Sequence, residues 1–148
     1  MEIVVIGTEP PCVRCLTTFK RAQEVARQFP QEIMVKKVAI HSEAAAQFGR
    51  VESGHEIAEA ASVAPDVASM KRLLEELNAL PPDEAANEKQ IDAKLKDLEA
   101  VLQPIKDKAR ELGYLMTPVL AIDGQVKSMD YVPSKEEIQG WIEIESRR

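Results

Sequence analysis

The sequence is sparing with the residues that usually announce chemistry or anchoring: 148 residues hold two cysteines, two histidines and six aromatics (Trp141, Tyr114, Tyr131, Phe19, Phe29 and Phe48). No run of about 18 apolar residues occurs, so nothing in it is expected to span a bilayer, and a membrane partner is not expected. The apolar opening, Ile3 to Ile6, has no basic residue before it and is too short for the core of a secretion signal. A cytoplasmic location is therefore expected, and there two cysteines rarely act as a structural staple. A close pair is metal-binding, catalytic or incidental. Basic residues are also short, 19 Lys and Arg against 25 Asp and Glu, with a net charge of -6. That balance argues against a nucleic acid partner, which needs clustered cations. What the chain does have is 45% apolar residues. This is enough for a core, in one domain or one domain carrying a large insertion.

Glu2 to Ile6 is a β-branched run closed by Gly7 and reads as a short buried strand. After the turn-rich stretch Gly7 to Pro11, residues Cys12 to Phe29 carry an apolar helical face. Pro11 is placed to open that helix, and Pro30 stops it. Ile33 to Ile40 is a second strand, which makes a parallel βαβ unit with a right-handed crossover. Near the other end, Pro118 to Ile122 reads as a strand and Asp123-Gly124 as a two-residue hairpin turn, with Gln125 to Met129 returning antiparallel. Ser134 and Glu137 form a capping box for a last helix through Ile138, Trp141 and Ile142.

Between these ends lies a block rich in Ala, Glu, Lys and Leu. Residues 43–111 hold 9 basic and 15 acidic side chains, the flanks 10 of each, so the net negative charge resides in the block. Its first part, Ala44 to Ala64, is broken by Gly49, Ser53-Gly54 and Pro65 and gives the weakest secondary-structure signal. Val67, Met70, Leu73, Leu74, Leu77 and Leu80 then share one helical face that ends at Pro81-Pro82. From Asp83 a second segment places Ile91, Leu95, Leu98, Leu102, Ile105, Ala109 and Leu112 at spacings of four and three, a coiled-coil-like seam. Pro104 should kink it near its end. Continuous helix of this length would project roughly 45 Å. Two helices joined at Pro-Pro most simply form an antiparallel hairpin that closes the seam within the chain.

The sharpest chemical signal is Pro11-Cys12-Val13-Arg14-Cys15 at the junction of the first strand and first helix. A spacing of three at a helix start brings two sulfurs close on one side. The first cysteine also lies over the unsatisfied N–H groups and the positive end of the helix dipole, which favour a thiolate. Cys12 is thus the better nucleophile and Cys15 the better resolving thiol, with Arg14, Lys20 and Arg21 adding positive charge. The same motif also reads as half of a zinc site or as coincidence. His41 and His55 follow at spacings that no zinc-finger pattern matches, and they read as surface or loop residues, so no metal ligand is assigned. Met116-Thr117-Pro118 precedes the third strand, where proline is tolerated. It reads as an ordinary trans proline opening an edge strand, or as a cis bond that would turn the Thr117 carbonyl and N–H outward.

The order β-α-β, helical block, β-β-α, with Cys-x-x-Cys opening the first helix and Thr-Pro opening the third strand, resembles the thioredoxin-like proteins. More narrowly, Ile6-Gly7-Thr8, Cys12 to Cys15, Thr117 to Gly124 and Val132 to Ile138 resemble the small redox-active disulfide protein group of archaea and bacteria. The resemblance implies an α/β fold with a mixed four-stranded sheet and an inserted helical hairpin. Residues 1–42 and 112–148 would form the thioredoxin-like domain and 43–111 the insertion. It implies a thiol–disulfide oxidoreductase without a cofactor, in which Cys12 attacks a partner protein's disulfide and Cys15 resolves the mixed disulfide. Pro118 would be cis, and Thr117, Pro118, Pro11 and Arg14 would meet the substrate. The insertion has no counterpart in the small members and reads either as an inert decoration that packs on itself or as a docking arm or homodimer surface.

There are departures from the thioredoxin pattern: Pro11 stands where thioredoxins have Trp, Val13-Arg14 where they have Gly-Pro, and Ile6 where they have a buried acid. Asp130-Tyr131 stands where the small group commonly has Gly, a position that Asp tolerates at positive φ. The rival reading is a carrier whose two thiolates hold a soft metal ion, or a redox-inactive module that presents the helical arm.

Overall fold

The apolar opening run becomes the centre of a sheet. In a computed structural model that describes residues 1–81 and 84–148, β1 (Glu2–Gly7) pairs on one side with β2 (Met34–Ala39) in parallel register, Glu2 opposite Met34 and Gly7 opposite Ala39. The crossover between them is α1 (Val13–Ala26). On its other side β1 meets β5 (Val119–Ile122) antiparallel, and β5 continues into β6 (Gln125–Met129), giving the order β2-β1-β5-β6. From Ile3 onward every residue of β1 is buried, as is every residue of β5. This is the mark of central strands covered on both faces. The edge strand β2 carries Lys36 and Lys37 and is largely exposed, which discourages pairing with another sheet. Asp123 and Gly124, at φ 46° and 83°, make the expected tight turn between β5 and β6.

One sheet face packs Ile3, Val5, Leu120 and Ile122 against Ala22 and Val25 of α1 and against Ile138 and Ile142 of the last helix, α7 (Lys135–Ser146). The capping box of Ser134 and Glu137 that opens α7 is formed. The opposite face packs Val4, Ile6 and Val119 against Ala45 and Val51. These two side chains come from the weakly patterned part of the block, which folds as α2 (Glu43–Ala46), β3 (Val51–Glu52) and α3 (Gly54–Ala60). β3 pairs in parallel with β4 (Leu115–Met116), a second, two-stranded sheet that the sequence did not announce.

The remaining helices are α4 (Val67–Asn78), α5 (Glu88–Val101) and α6 (Gln103–Leu112). α4 and α5 form the expected hairpin, although Pro82 and Asp83 of its turn lie outside the described residues. Leu73 and Leu77 meet Ile91, Leu95 and Leu98 in one buried cluster that also takes in Ile57, Ile105 and Met116. The seam is therefore consumed within the chain, and a second copy would have to use another face.

Two expectations need correction. The long helix does not project: Leu102 ends α5 and begins α6, with Pro104 in the first turn of α6. Proline cannot donate to the carbonyl four residues back, and its ring crowds that carbonyl, so the helix breaks rather than bends. The seam also ends one step early, because Leu112 is 43% exposed. Instead of extending away, α5 lies along α1, tied to it by ion pairs from Arg14 to Glu99 and from Arg21 to Asp92. Among the described residues, no helix is long and apolar enough to cross a membrane.

Candidate active site

The two cysteines sit where β1 hands over to α1. Gly7 closes the strand and lies directly beneath Cys15: a Cβ on residue 7 would stand 2.8 Å from the Cys15 Cβ and 3.0 Å from its Sγ. Only glycine lets the strand end come this near. The Thr8 hydroxyl then organises the loop, donating to the Pro10 carbonyl at 3.0 Å and accepting from the Cys12 N–H at 3.0 Å. The Glu9–Pro10 peptide bond in this loop is cis. Helix α1 begins at Val13, with Cys12 as its N-cap in extended conformation. Pro11 thus stands exposed just outside the helix rather than in its first turn.

As N-cap, Cys12 uses its sulfur where Ser or Asp would use an oxygen: Sγ accepts from the Cys15 N–H at 3.4 Å. The two Sγ atoms are 3.0 Å apart. Cys15 is buried, and Cys12 is partly open to solvent. The hydrogen bond with the Cys15 thiol, helped by the Cys15 N–H, the charge of Arg14 and the Thr8 hydroxyl, lowers the Cys12 pKa to about 6 against the pull of burial. Cys15 moves the opposite way. The hydrogen bond to Cys12, burial and the Cys12 charge all raise its pKa, outweighing the Thr8 backbone and Arg14. At neutral pH the pair thus holds one proton, on Cys15, and presents Cys12 as a thiolate.

Arg14 has a different place from the one expected of it. Its side chain is buried, and the guanidinium turns inward: Nε and Nη2 grip the two Glu99 carboxylate oxygens at 2.9 Å each, Nη1 donates to the Thr117 carbonyl at 3.3 Å, and Nη2 also donates to the Asp130 carbonyl. Lys106, itself buried, pairs with the same Glu99. Arg14 therefore positions the surrounding backbone and contributes charge, while its donors are spent on internal acceptors. Asp130 adopts φ 63°, as its place in the sequence allowed. Its N–H donates to the carbonyls of Met116 at 2.8 Å and Pro118 at 3.1 Å, and its carboxylate pairs with Arg110 at 3.1 Å. Burial raises the Asp130 pKa, with Arg110, Lys106 and Arg14 opposing.

The Thr117–Pro118 bond is cis, and both residues are buried. The backbone groups of Thr117 are not turned outward to a free edge. The N–H donates to the Glu52 carbonyl at 3.1 Å, continuing the β3–β4 pairing, and the carbonyl is held by Arg14. The helical block has filled the position at which an incoming strand would pair.

Thr117 nevertheless shares a space with Cys12. A cavity of about 570 Å³ opens beside the cysteine, with Thr8, Cys12 and Thr117 at one end and walls of Ala58, Val63, Met70, Leu98, Leu102 and Ile105. A separate depression of about 620 Å³, around Arg50, Glu56 and Tyr114, lies away from the sulfurs.

His41 and His55 are both exposed, as expected of surface residues, although His55 lies in the first turn of α3 rather than in a loop. His41 has its Nε2 2.7 Å from Glu56, and His41, Glu52 and Glu56 place one ligand atom each within 4.8 Å of one another, which is spacing that could accept a cation. Glu56 also serves the capping box of α3, and Glu52 pairs with Arg50. Among the described residues, no third metal-ligating side chain joins the two sulfurs. The residues that sequence reasoning missed are Gly7, Thr8, Glu99 and Lys106. Gly7 carried a signal, as a glycine ending a β-branched run. Glu99 and Lys106 carried none, since both read as solvated positions on a helix.

Residues 82–143 match the family model of a thioredoxin domain. The matched stretch takes in α5, α6, Thr117, Pro118 and most of α7, begins inside the helical block rather than after it, and leaves Cys12 and Cys15 outside. No curated protein and no solved structure matches the chain. With the mixed four-stranded sheet, the match makes the fold thioredoxin-like.

Proposed function

We propose that this thioredoxin-like chain carries out thiol–disulfide exchange through Cys12 and Cys15. The observation that carries the reading is the pair itself: two sulfurs 3.0 Å apart at the start of α1, the outer one held as a thiolate and the inner one as a thiol. The Cys12 thiolate attacks one sulfur of a partner disulfide, whose S–S bond breaks and releases a thiolate. Cys15 then gives up its proton and attacks the Cys12 sulfur, closing a Cys12–Cys15 disulfide and freeing the second thiol. The partner gains the two electrons that the pair loses, and of the two protons on its thiols one comes from Cys15 and the other from solvent. The reverse sequence oxidises a dithiol, and the reduction potential of the pair sets which direction runs.

Among the described residues, no carboxylate is among the groups that shift the Cys15 thiol. Ile6, fully buried, stands where an acid would serve, so the proton leaves to solvent or to the departing thiolate. In this reading Cys12 and Cys15 react, Pro11 and Thr117 border the approaching disulfide, and Pro118 and Arg14 set the backbone around it. Residues 1–42 and 112–148 supply the redox unit, and 43–111 the wall that limits access. A cytoplasmic setting and a protein partner that approaches at the mouth of the cavity accord with the reading.

The test is a trap. In a Cys15→Ser variant incubated with 2-hydroxyethyl disulfide, the reading expects one adduct, on Cys12, stable until a second thiol is added. Wild-type protein should pass through it to an intramolecular disulfide. Absence of adduct and of disulfide would overturn the reading. A stoichiometric soft metal retained by the purified protein and lost from Cys12→Ser would favour metal carriage instead.

A further inference from the structure

Thiol–disulfide exchange leaves open what carries the disulfide, and two features of the fold bear on it. The first is the cavity of about 570 Å³ beside Cys12, of a size that holds a small organic molecule. Its walls are side chains of α3, α4, α5 and α6, nearly all aliphatic, with polar groups at the Cys12 end and at the rim. The second is the state of Thr117: its N–H and carbonyl are already bonded to Glu52 and Arg14, so an extended peptide finds no free backbone pair next to the cysteines. Backbone pairing at Thr117 is thereby taken up, while the cavity leaves room for an apolar group beside Cys12.

Resting on the exchange reading, we infer that the cavity is the substrate site for a small aliphatic disulfide, whose hydrocarbon arm lies among Ala58, Val63, Met70 and Leu74 while its S–S bond faces Cys12. For a symmetrical disulfide RSSR, the Cys12 thiolate displaces RS⁻ and forms Cys12–S–S–R. Cys15 then loses its proton, attacks the Cys12 sulfur and releases the second RS⁻, which takes up a proton. The products are the Cys12–Cys15 disulfide and two RSH, one proton coming from Cys15 and the other from solvent, with RSSR itself as oxidant.

Each methylene taken from water into such a wall is worth roughly fourfold in affinity, so burying two or three favours the aliphatic disulfide by more than about tenfold. The experiment follows single-turnover oxidation of the reduced full chain by di-n-butyl disulfide and by 2-hydroxyethyl disulfide, each rate divided by the rate of the same disulfide with dithiothreitol. The expected normalised ratio is at least about ten in favour of the butyl compound. Ala58→Trp, which fills the cavity, should bring the ratio close to one. Val67→Asp, at a wall position that is 60% exposed and remote from the core, should lower it as well and covers the case in which the tryptophan variant does not fold. Exchange with both disulfides at a ratio near one, or a high ratio untouched by the wall variants, would overturn the substrate assignment and leave the exchange reading standing. Failure of both disulfides to oxidise the pair would overturn the exchange reading and this inference with it.

Discussion

Arg14 of α1 and Glu99 of α5 meet in a two-pronged ion pair, 2.9 Å at each contact, with Arg14 almost wholly shielded from solvent. The pair joins the helix that carries the cysteines to the helix that walls the cavity, and the same guanidinium holds the backbone at Thr117 and Asp130. Removing Arg14 would leave Glu99 only its ion pair with Lys106 and take the donor from the Thr117 and Asp130 carbonyls, a loss of up to several kcal/mol. Arg14→Ala should therefore cost about 3 kcal/mol of unfolding free energy, measured by urea titration. Arg14→Lys keeps the charge but not the fork and should recover only part of the loss. Since the charge of Arg14 also favours the Cys12 thiolate, the alanine variant should show a raised Cys12 titration midpoint.

The Cys12 thiolate sets a pH profile. Iodoacetamide should react with reduced protein at a rate that rises through an inflection near pH 6 and levels off above it, where an ordinary thiol would inflect near 9. The hydrogen bond from Cys15 is the largest cause of the shift, so Cys15→Ala should move the inflection upward. Stability follows by linkage. A thiol whose pKa is lowered by folding binds fewer protons folded than unfolded between about pH 6 and 9. Reduced wild type should therefore gain stability over Cys12→Ala as pH rises through that window, and lose the gain as pH falls through 6. Above about 9 the raised pKa of Cys15 acts in the opposite direction.

Gly7 offers a purely steric test. An added methyl would sit 2.8 Å from the Cys15 Cβ, closer than real Cβ contacts, and the neighbours are a strand end and the first turn of a helix rather than a pliable side-chain tip. Gly7→Ala should cost about 1–3 kcal/mol, as overpacking does. It should also separate the two sulfurs, so its alkylation inflection should shift up from 6 together with the stability loss. An unchanged inflection would show that Cys15 does not depend on Gly7 for its place.

What the sequence made legible was local. The β-branched run of β1, the Asp123-Gly124 turn and the Ser134 to Glu137 capping box are each written within a few adjacent residues, and each formed where expected. Cys12 and Cys15 belong to this class, because a spacing of three at a helix start is enough to bring them together. What stayed hidden depends on contacts between distant segments. Glu99 lies one residue past the seam position Leu98 and reads as a solvated charge until α5 lies against α1. Pro104 was visible, but whether it would bend or divide the helix depended on the fold-back that α6 makes against α3. β3 is two residues long, too short for any alternation to register, yet it is the strand that takes the Thr117 N–H.

The claim on which the rest depends is that Cys12 and Cys15 form one reversible redox pair. The direct measurement equilibrates the full chain with graded ratios of reduced and oxidised dithiothreitol, quenches in acid, and counts free thiols by alkylation and mass spectrometry. The account predicts that both thiols disappear together, with loss of two hydrogens from the monomer, a single two-electron midpoint and full recovery on reduction. Thiols that remain free at every ratio, or that are lost only into disulfides between separate chains, would contradict it.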